Sequence, residues 1–333
     1  MAVIDTDGLS QRLREMSIRP ETRQLLISRI EGSGQEADLT EPPNCDGYGR
    51  IRHFRSKTPA PWPSNPLPIL PASRSLALAP VAAMTAQVFQ NASCNWRCWY
   101  CFVPFNLLSA NEARASWLSA EDLVALYLRQ DNPPVIIDCS GGQPDLVPEW
   151  VPWMMSSLQR RGLSDSVYLW SDDNLSNDYF WRHLTSADLH LVQGYRNYGR
   201  VCCFKGFSAT SFAFNTNADP RLFERQFELF ARLLRLGIDL YAYATFTAPD
   251  DGAITRDMAD FVDRLQEIHP NLPLRLVPLR IEPFGVVAPR MRLVHQRALV
   301  VQDQAVDAWN AELRARFDDR ARRMSISDVP INS

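Results

Sequence analysis

Lysine is nearly missing from this chain. Of 35 basic residues only Lys57 and Lys205 are lysine. A GC-rich genome would produce this skew, and the skew singles out Lys205 because such codon usage favours arginine there. No run approaches the ~20 apolar residues of a membrane-spanning helix. Neither sign of charge dominates: 35 Lys and Arg stand against 38 Asp and Glu, a net charge of -3, so no strong field invites nucleic acid or an anionic membrane. Cysteine is sparse and odd in number, 7 in 333 residues, without the density of a secreted disulfide scaffold. The opening Met-Ala-Val-Ile-Asp-Thr-Asp is acidic and lacks the charged first region of an export signal. These absences predict a cytoplasmic protein with no membrane and no nucleic-acid partner. No internal repeat or low-complexity tract occurs.

What is present divides into three parts. Residues 1–85 read as an irregular, Pro-rich extension. A helix is expected from Arg19, with Pro20 at its first position, through Leu25 and Leu26 to about Ile30, stopped by Gly32, Ser33 and Gly34. Six prolines between Pro59 and Pro71 argue against regular structure there. Interleaved Tyr48, Phe54 and Trp62 predict that the extension packs across the core, since a disordered tail carries fewer aromatics. Residues 86–285 alternate short β runs with helical patterns. The runs are Val88 to Gln90, Val135 to Asp138, Val167 to Trp170, Val201 to Phe204, Leu240 to Phe246 and Leu274 to Leu279. The helices begin at Ser119 (with Asp122 placed for a capping box), near Pro148, around Tyr179, after Asp219-Pro220 and at Thr255. Alternation of this kind predicts an α/β fold, a partial parallel (βα)6 barrel with active groups at the C-terminal strand ends. A doubly wound open sheet is the alternative and requires a reversal of strand order. Residues 286–333 read as a helical tail, mostly one helix from Asp303 to about Arg323. Its Arg314, Arg316, Arg320, Arg322 and Arg323 face Glu312, Asp318 and Asp319 as a solvated surface.

Cys94, Cys98 and Cys101 stand in Ser-Cys-Asn-Trp-Arg-Cys-Trp-Tyr-Cys, a C-x3-C-x2-C spacing. Iron–sulfur clusters normally take one thiolate per iron. Three thiolates on one short loop therefore fill three corners of a 4Fe-4S cube and leave the fourth iron to a ligand that is not protein. Zinc sites usually come as two Cys/His pairs across a spacer, and no second pair lies nearby in the sequence. The motif resembles that of the radical SAM superfamily, and the resemblance runs from about Val88 to Gly285. It implies a radical-SAM-type barrel, a 4Fe-4S cluster on the three cysteines, and S-adenosyl-L-methionine on the open iron through its amino and carboxylate groups. It also implies a flavodoxin or ferredoxin reductant. Reductive cleavage would yield methionine and a 5′-deoxyadenosyl radical, which takes hydrogen from a small-molecule or peptide substrate.

Further motifs carry the resemblance. Ser140-Gly141-Gly142-Gln143-Pro144 is similar to the family's Gly-Gly-Glu-Pro segment, which binds the cofactor amino group. Gln143 stands where glutamate is usual, keeping an acceptor oxygen but supplying no charge. Ser171 and Asp173, in Trp170-Ser171-Asp172-Asp173-Asn174, fall on a turn that lies near the cofactor's ribose and methionyl portions; an Asx turn capping the next helix is the alternative. Val201-Cys202-Cys203-Phe204-Lys205 resembles the Leu-Asp-Leu-Lys strand of glycyl-radical-enzyme activases, whose lysine faces the cofactor carboxylate. Lys205 takes that position, and Cys203 replaces the aspartate, which counts against activase chemistry. Trp96, Arg97, Trp99 and Tyr100 would shield the cube, with Tyr100 among the cofactor contacts. Tyr241, Tyr243, Thr245 and Arg280 are the expected substrate-facing side chains, and Lys205, Tyr243 and Arg280 the expected catalytic ones.

Cys45, Cys139, Cys202 and Cys203 are scattered and read as buried small hydrophobes; His53, His183, His190, His269 and His295 make no ligand-spaced pair. Other functions stay open from sequence alone: a glycyl-radical-enzyme activase, an RNA-modifying radical SAM enzyme, or a non-catalytic metal-binding protein. The last predicts a fourth protein ligand near Cys94.

Overall fold

The computed structural model describes residues 3–331; Met1, Ala2, Asn332 and Ser333, which fall at the expected domain limits, lie outside the described residues. In chain order the extension carries α1 (Thr6–Glu15), β1 (Ile18–Arg19), β2 (Gln24–Ser28), β3 (Gly49–Arg55) and α2 (Ile69–Ser75). Next come β4 (Ala83–Phe89), β5 (Ala115–Ser119), α3 (Ala120–Leu128), β6 (Ile136–Cys139), α4 (Trp150–Arg160) and β7 (Tyr168–Asp173). Then follow α5 (Tyr179–His183), α6 (Ser186–Gly194), β8 (Tyr198–Phe204), α7 (Ala209–Thr216), α8 (Leu222–Leu234) and β9 (Asp239–Thr245). The chain ends with α9 (Ile254–Ile268), β10 (Leu276–Leu279), α10 (Leu293–Arg316) and α11 (Asp319–Arg322).

The main sheet has the order β10-β9-β8-β7-β6-β4-β3. Each of its strands runs parallel to its neighbour except β3, which lies antiparallel on β4. The order never reverses, so the sheet has no topological switch point and the doubly wound alternative falls. β3 and β10 stay unpaired to each other, leaving an open, curled sheet.

Alternation along the strands separates two cores. Ile137, Cys139, Leu169, Cys202, Phe204, Leu240 and Ala242 face the helices, where α8 lays Phe223, Phe227 and Phe230 against them. Phe204 sits with its ring centroid 5.1 Å from Phe227 and 5.6 Å from Phe230. Ile136, Tyr168, Trp170, Val201, Cys203, Tyr241, Tyr243 and Val277 face the concave interior. The interior floor is closed by Phe54 of β3, Leu67, Ile69 and Ala72 from the Pro-rich stretch, and Ile326 near the C-terminus.

Several expectations change. The extension packs on the core, but it is not irregular: β3 extends the main sheet, and β1, β2 and β5 form a second, three-stranded sheet. The helix expected from Arg19 to Ile30 is instead the β1–β2 hairpin, turned at Pro20 to Arg23 with Arg23 at φ 52°. Leu25 and Ile27 enter the large outer core while Leu26 enters a separate cluster with Leu13, so both faces of β2 are buried and a continuous apolar run is a strand. A helix does form earlier, over Thr6–Glu15, capped by Asp5 accepting from Gly8 N at 3.1 Å. Pro71 lies inside α2, which its Pro-rich flanks had argued against. The tail helix begins ten residues earlier than expected, at Leu293, and breaks at Phe317, whose extended backbone precedes a short turn capped by Asp318. Arg316, Arg322 and Arg323 are tied up locally, Arg316 bridging Glu312 at 2.8 Å and Asp263, as a solvated mixed-charge face requires. The capping box expected at Ser119 and Asp122 is present on α3.

Candidate active site

The cysteine loop leaves the C-terminal end of β4 and is gripped from three sides. From the extension, Ser10 Oγ accepts from Asn95 Nδ2 at 2.8 Å and Thr6 Oγ1 accepts from Trp96 Nε1 at 3.0 Å. From α7, Asn215 Oδ1 accepts from Trp99 Nε1 at 3.1 Å. From the tail, His295 stacks on Trp99 at 4.6 Å with 5° between the planes, and Arg290 donates to the Cys101 carbonyl. Within the loop, Cys101 N donates to Cys98 O at 3.0 Å. The extension and the tail therefore pin the loop that carries the three thiols.

All seven cysteines are free. Cys98 is 9% exposed, and burial pushes its thiol up to about 12. Burial raises Cys101 as well, with Cys94 adding to it and Arg290 and Lys205 opposing. The groups facing the three thiols are Lys205, Tyr100, Arg290 and Asn174, whose Nδ2 lies 4.0 Å from Cys94 Sγ. Among the described residues no three His, Cys, Asp or Glu side chains converge as ligands of one ion would. A cube places each thiolate on a separate iron, so three neighbouring thiols on one loop with cationic surroundings fit such a group. Its own positive iron is what would hold buried thiols ionised.

The Gly-Gly-Gln-Pro segment is locked to the foot of that loop. Gly141 and Gly142 have φ of 83° and 68°, and a Cβ on Gly142 would lie 2.4 Å from Ser93 O and 2.5 Å from Asn91 O. Gly142→Ala should therefore cost about 2 kcal/mol or more. Gly162→Ala, at the same φ of 68° with nothing near, should cost only about 1 kcal/mol. Urea midpoints of the two variants check this; equal losses would remove the packing argument.

Gln143 is fully buried and spent on neighbours. Its Nε2 donates to Asp173 Oδ1 at 2.7 Å, its Oε1 accepts from Asn174 N at 2.9 Å, and its backbone N donates to Ser93 O at 2.7 Å. It thus ties the loops after β4, β6 and β7 together. Asp173 Oδ1 also accepts from Leu175 N at 2.9 Å, the Asx turn that stood as the alternative to a cofactor contact. Its Oδ2 lies 3.1 Å from Arg200, which also bonds Asp145 in the short turn begun by Pro144. Ser171 is buried on the helix side of β7, sharing a 2.8 Å hydrogen bond with Tyr198.

Lys205 follows β8 at the mouth. Burial alone would lower its ammonium, but Cys203, Tyr100, Cys98 and Cys94 together raise it well above its ordinary value. Tyr100 OH lies 3.0 Å from Thr245 Oγ1, and burial raises this phenol. Tyr243 faces the interior with its OH donating to Asn65 Oδ1 at 3.2 Å. Tyr241 sits deeper, bonded to Asp239 at 2.8 Å, and Arg280 pairs at the rim with Glu282 at 3.0 Å. The structure thus brings Lys205, Tyr100, Thr245 and the three cysteines together, and leaves Tyr241 and Arg280 apart from them.

Sequence reasoning missed four charged residues that face the same interior: Arg50 and Arg52 of β3, Asp138 of β6 and Asp172 of β7. Period-two alternation beside Ile136 and Trp170 was the available signal for the two acids. Nothing in a strand read as irregular could have found the arginines. A surface cleft of about 810 Å³ lies elsewhere, outside the barrel between α1, α5 and α8. Among the described residues no helix is long and apolar enough to cross a membrane.

No family model and no curated protein matches the chain. Among solved structures, Streptococcus suis SuiB bound to S-adenosylmethionine aligns with TM-score 0.40 and 16% identity over 54% of this chain and 37% of SuiB. SuiB bound to its precursor peptide SuiA aligns with TM-score 0.40 and 14% identity over 54% of this chain and 36% of that one. This chain therefore matches little more than a third of the length of SuiB.

Proposed function

We propose that this chain is a radical SAM enzyme, with Cys94, Cys98 and Cys101 as ligands of a 4Fe-4S cluster and S-adenosyl-L-methionine bound at the mouth of the open barrel. The observation that carries the reading is the meeting of three thiols from one loop with Lys205 and Tyr100 at the C-terminal strand ends. A cluster held by Cys94, Cys98 and Cys101, with S-adenosyl-L-methionine beside it and an electron from a flavodoxin or ferredoxin, would supply the radical chemistry that abstracts hydrogen from a small metabolite or peptide side chain.

The chain's own residues bind, orient and exclude water. Lys205 offers its ammonium to the cofactor carboxylate, and Gly141 and Gly142 present backbone to its amino group. Gln143 and Asp173 act by fixing the spacing of the loops that line the pocket, since their polar atoms are already shared with each other and with Asn174 and Leu175. Trp96 and Trp99, both buried, seal the loop from solvent on the helix side.

Anaerobically reconstituted protein should hold about four irons per chain. Reduced in the presence of S-adenosyl-L-methionine, it should release 5′-deoxyadenosine, read by liquid chromatography. Iron bound without any 5′-deoxyadenosine under several reductants would sink the reading.

A further inference from the structure

The barrel has an apolar floor and a charged upper interior, and the charged part is left incomplete by the protein. Arg50 is 5% exposed, yet among the described residues it has no carboxylate within ion-pair reach and its Nε has no partner. Its guanidinium lies over Phe102, next to Cys101, at 5.0 Å. Asp138 is 0% exposed; Oδ2 lies 3.4 Å from Arg52, long for a charge-assisted bond, the Ser140 hydroxyl is near enough to lower the carboxyl, and Oδ1 makes no well-formed hydrogen bond. Asp172 Oδ1 is likewise buried without a partner, as are both amide atoms of the fully buried Gln90 beside Gly141.

Strand register puts these groups together. Val88 pairs with Arg50 on one side and Asp138 on the other, and Asp138 pairs with Trp170, two residues before Asp172 on the same face. Arg52 lies 3.4 Å from Asp138, and its charge lowers both carboxyls, although burial raises them on balance. Polar groups buried this deeply are normally satisfied, and leaving them so is costly. Two arginines and two aspartates give the site two poles, one end cationic at Arg50 and the other acidic at Asp138 and Asp172, with burial raising both carboxyls and Lys205 drawing Asp172 back. The closed floor limits depth, so a chain cannot thread through.

We propose that this interior recognises a small zwitterion, taking its carboxylate at Arg50 and its ammonium at Asp138 and Asp172, with Arg52 as the positioning residue beside Asp138. The inference deepens the reading above, because it names the substrate class for radical chemistry at the barrel mouth.

The test uses the full chain, cluster-loaded, anaerobic and saturated with S-adenosyl-L-methionine so that the cofactor's own amino-acid end is already occupied. Thermal unfolding is followed with each of the free L-amino acids and a set of dipeptides. Any binder is then compared with its decarboxylated amine and its N-acetyl derivative. At least one zwitterion should raise Tm with a concentration dependence set by its affinity, and both single-pole analogues should bind at least 10-fold more weakly. Arg50→Met and Asp172→Asn should each lose at least 10-fold in affinity while keeping or raising the ligand-free Tm, because each removes an uncompensated buried group. A merely structural role predicts the opposite, a lower ligand-free Tm. The proposal is overturned if no zwitterion shifts Tm, if single-pole analogues bind equally well, or if the variants retain affinity or lose ligand-free stability. 5′-Deoxyadenosine is measured in parallel samples given excess dithionite as the one-electron reductant. Its release without zwitterion binding rejects the site alone, whereas binding without release rejects the radical reading alone.

Discussion

Cys98→Ala is expected to lose the iron of the reconstituted protein and all 5′-deoxyadenosine formation, whereas Cys202→Ala keeps both. The contrast follows from which side of the structure each sulfur occupies. Cys98 sits between Cys94 and Cys101 in charge reach of Lys205, with burial pushing its thiol up to about 12. A thiol in that state is a poor ligand until metal charge offsets the burial, and the energy of metal binding then becomes energy of ordering the loop. Cys202 faces the helices from β8, among Leu169, Phe204 and Leu240, and burial raises its thiol further from ionisation. Its replacement removes a small buried group and should cost roughly 1 kcal/mol. Iron per chain and the visible absorbance of the cluster decide the matter. Iron retained in Cys98→Ala, or lost in Cys202→Ala, would place the cluster elsewhere.

Arg200→Met should produce the largest loss of stability. Arg200 is 0% exposed, stacks over Phe180 at 5.0 Å, and joins Asp145 to Asp173. Burial pushes Asp145 up, with Asp173 adding to it, and Arg200 is the group that draws it back. Removing one partner of a buried ion network leaves uncompensated charge and costs about 3–5 kcal/mol, a fall in Tm on the order of 10 °C for a chain this long. Because Asp173 also holds Gln143 and Leu175, the same variant should weaken S-adenosyl-L-methionine binding out of proportion to its distance from the thiols. Neutralising the carboxylates together with the arginine, as Arg200→Met with Asp145→Asn and Asp173→Asn, should recover much of the stability but not the affinity. Chemical denaturation and cofactor titration separate the two effects. A loss below 1 kcal/mol in the single variant would mean that the network is not structural.

The parts of this molecule legible in its sequence are those governed by local spacing. C-x3-C-x2-C located the thiols, and Ser119 with Asp122 announced a capping box that forms. The alternation of short apolar runs with amphipathic stretches located the parallel strands from β6 onward to within a few residues, and caught only the end of β4. The β1–β2 hairpin was not legible, because Leu25, Leu26 and Ile27 read equally well as helix or strand until β5 and the core cover both faces. Gln143 illustrates the same limit within the site: its type suggested a weakened ligand, while its neighbours make it a tie between three loops.

Local chemistry thus determined which atoms could hold a metal and in what order the barrel strands arise, since residue spacing alone sets both. Only the tertiary structure decided what stands opposite those atoms. β3 folds back antiparallel onto β4 and delivers Arg50 and Arg52 to a space whose acids come from β6 and β7. That juxtaposition joins residues 86 or more positions apart, and it depends on strand pairing and burial, which no local pattern encodes.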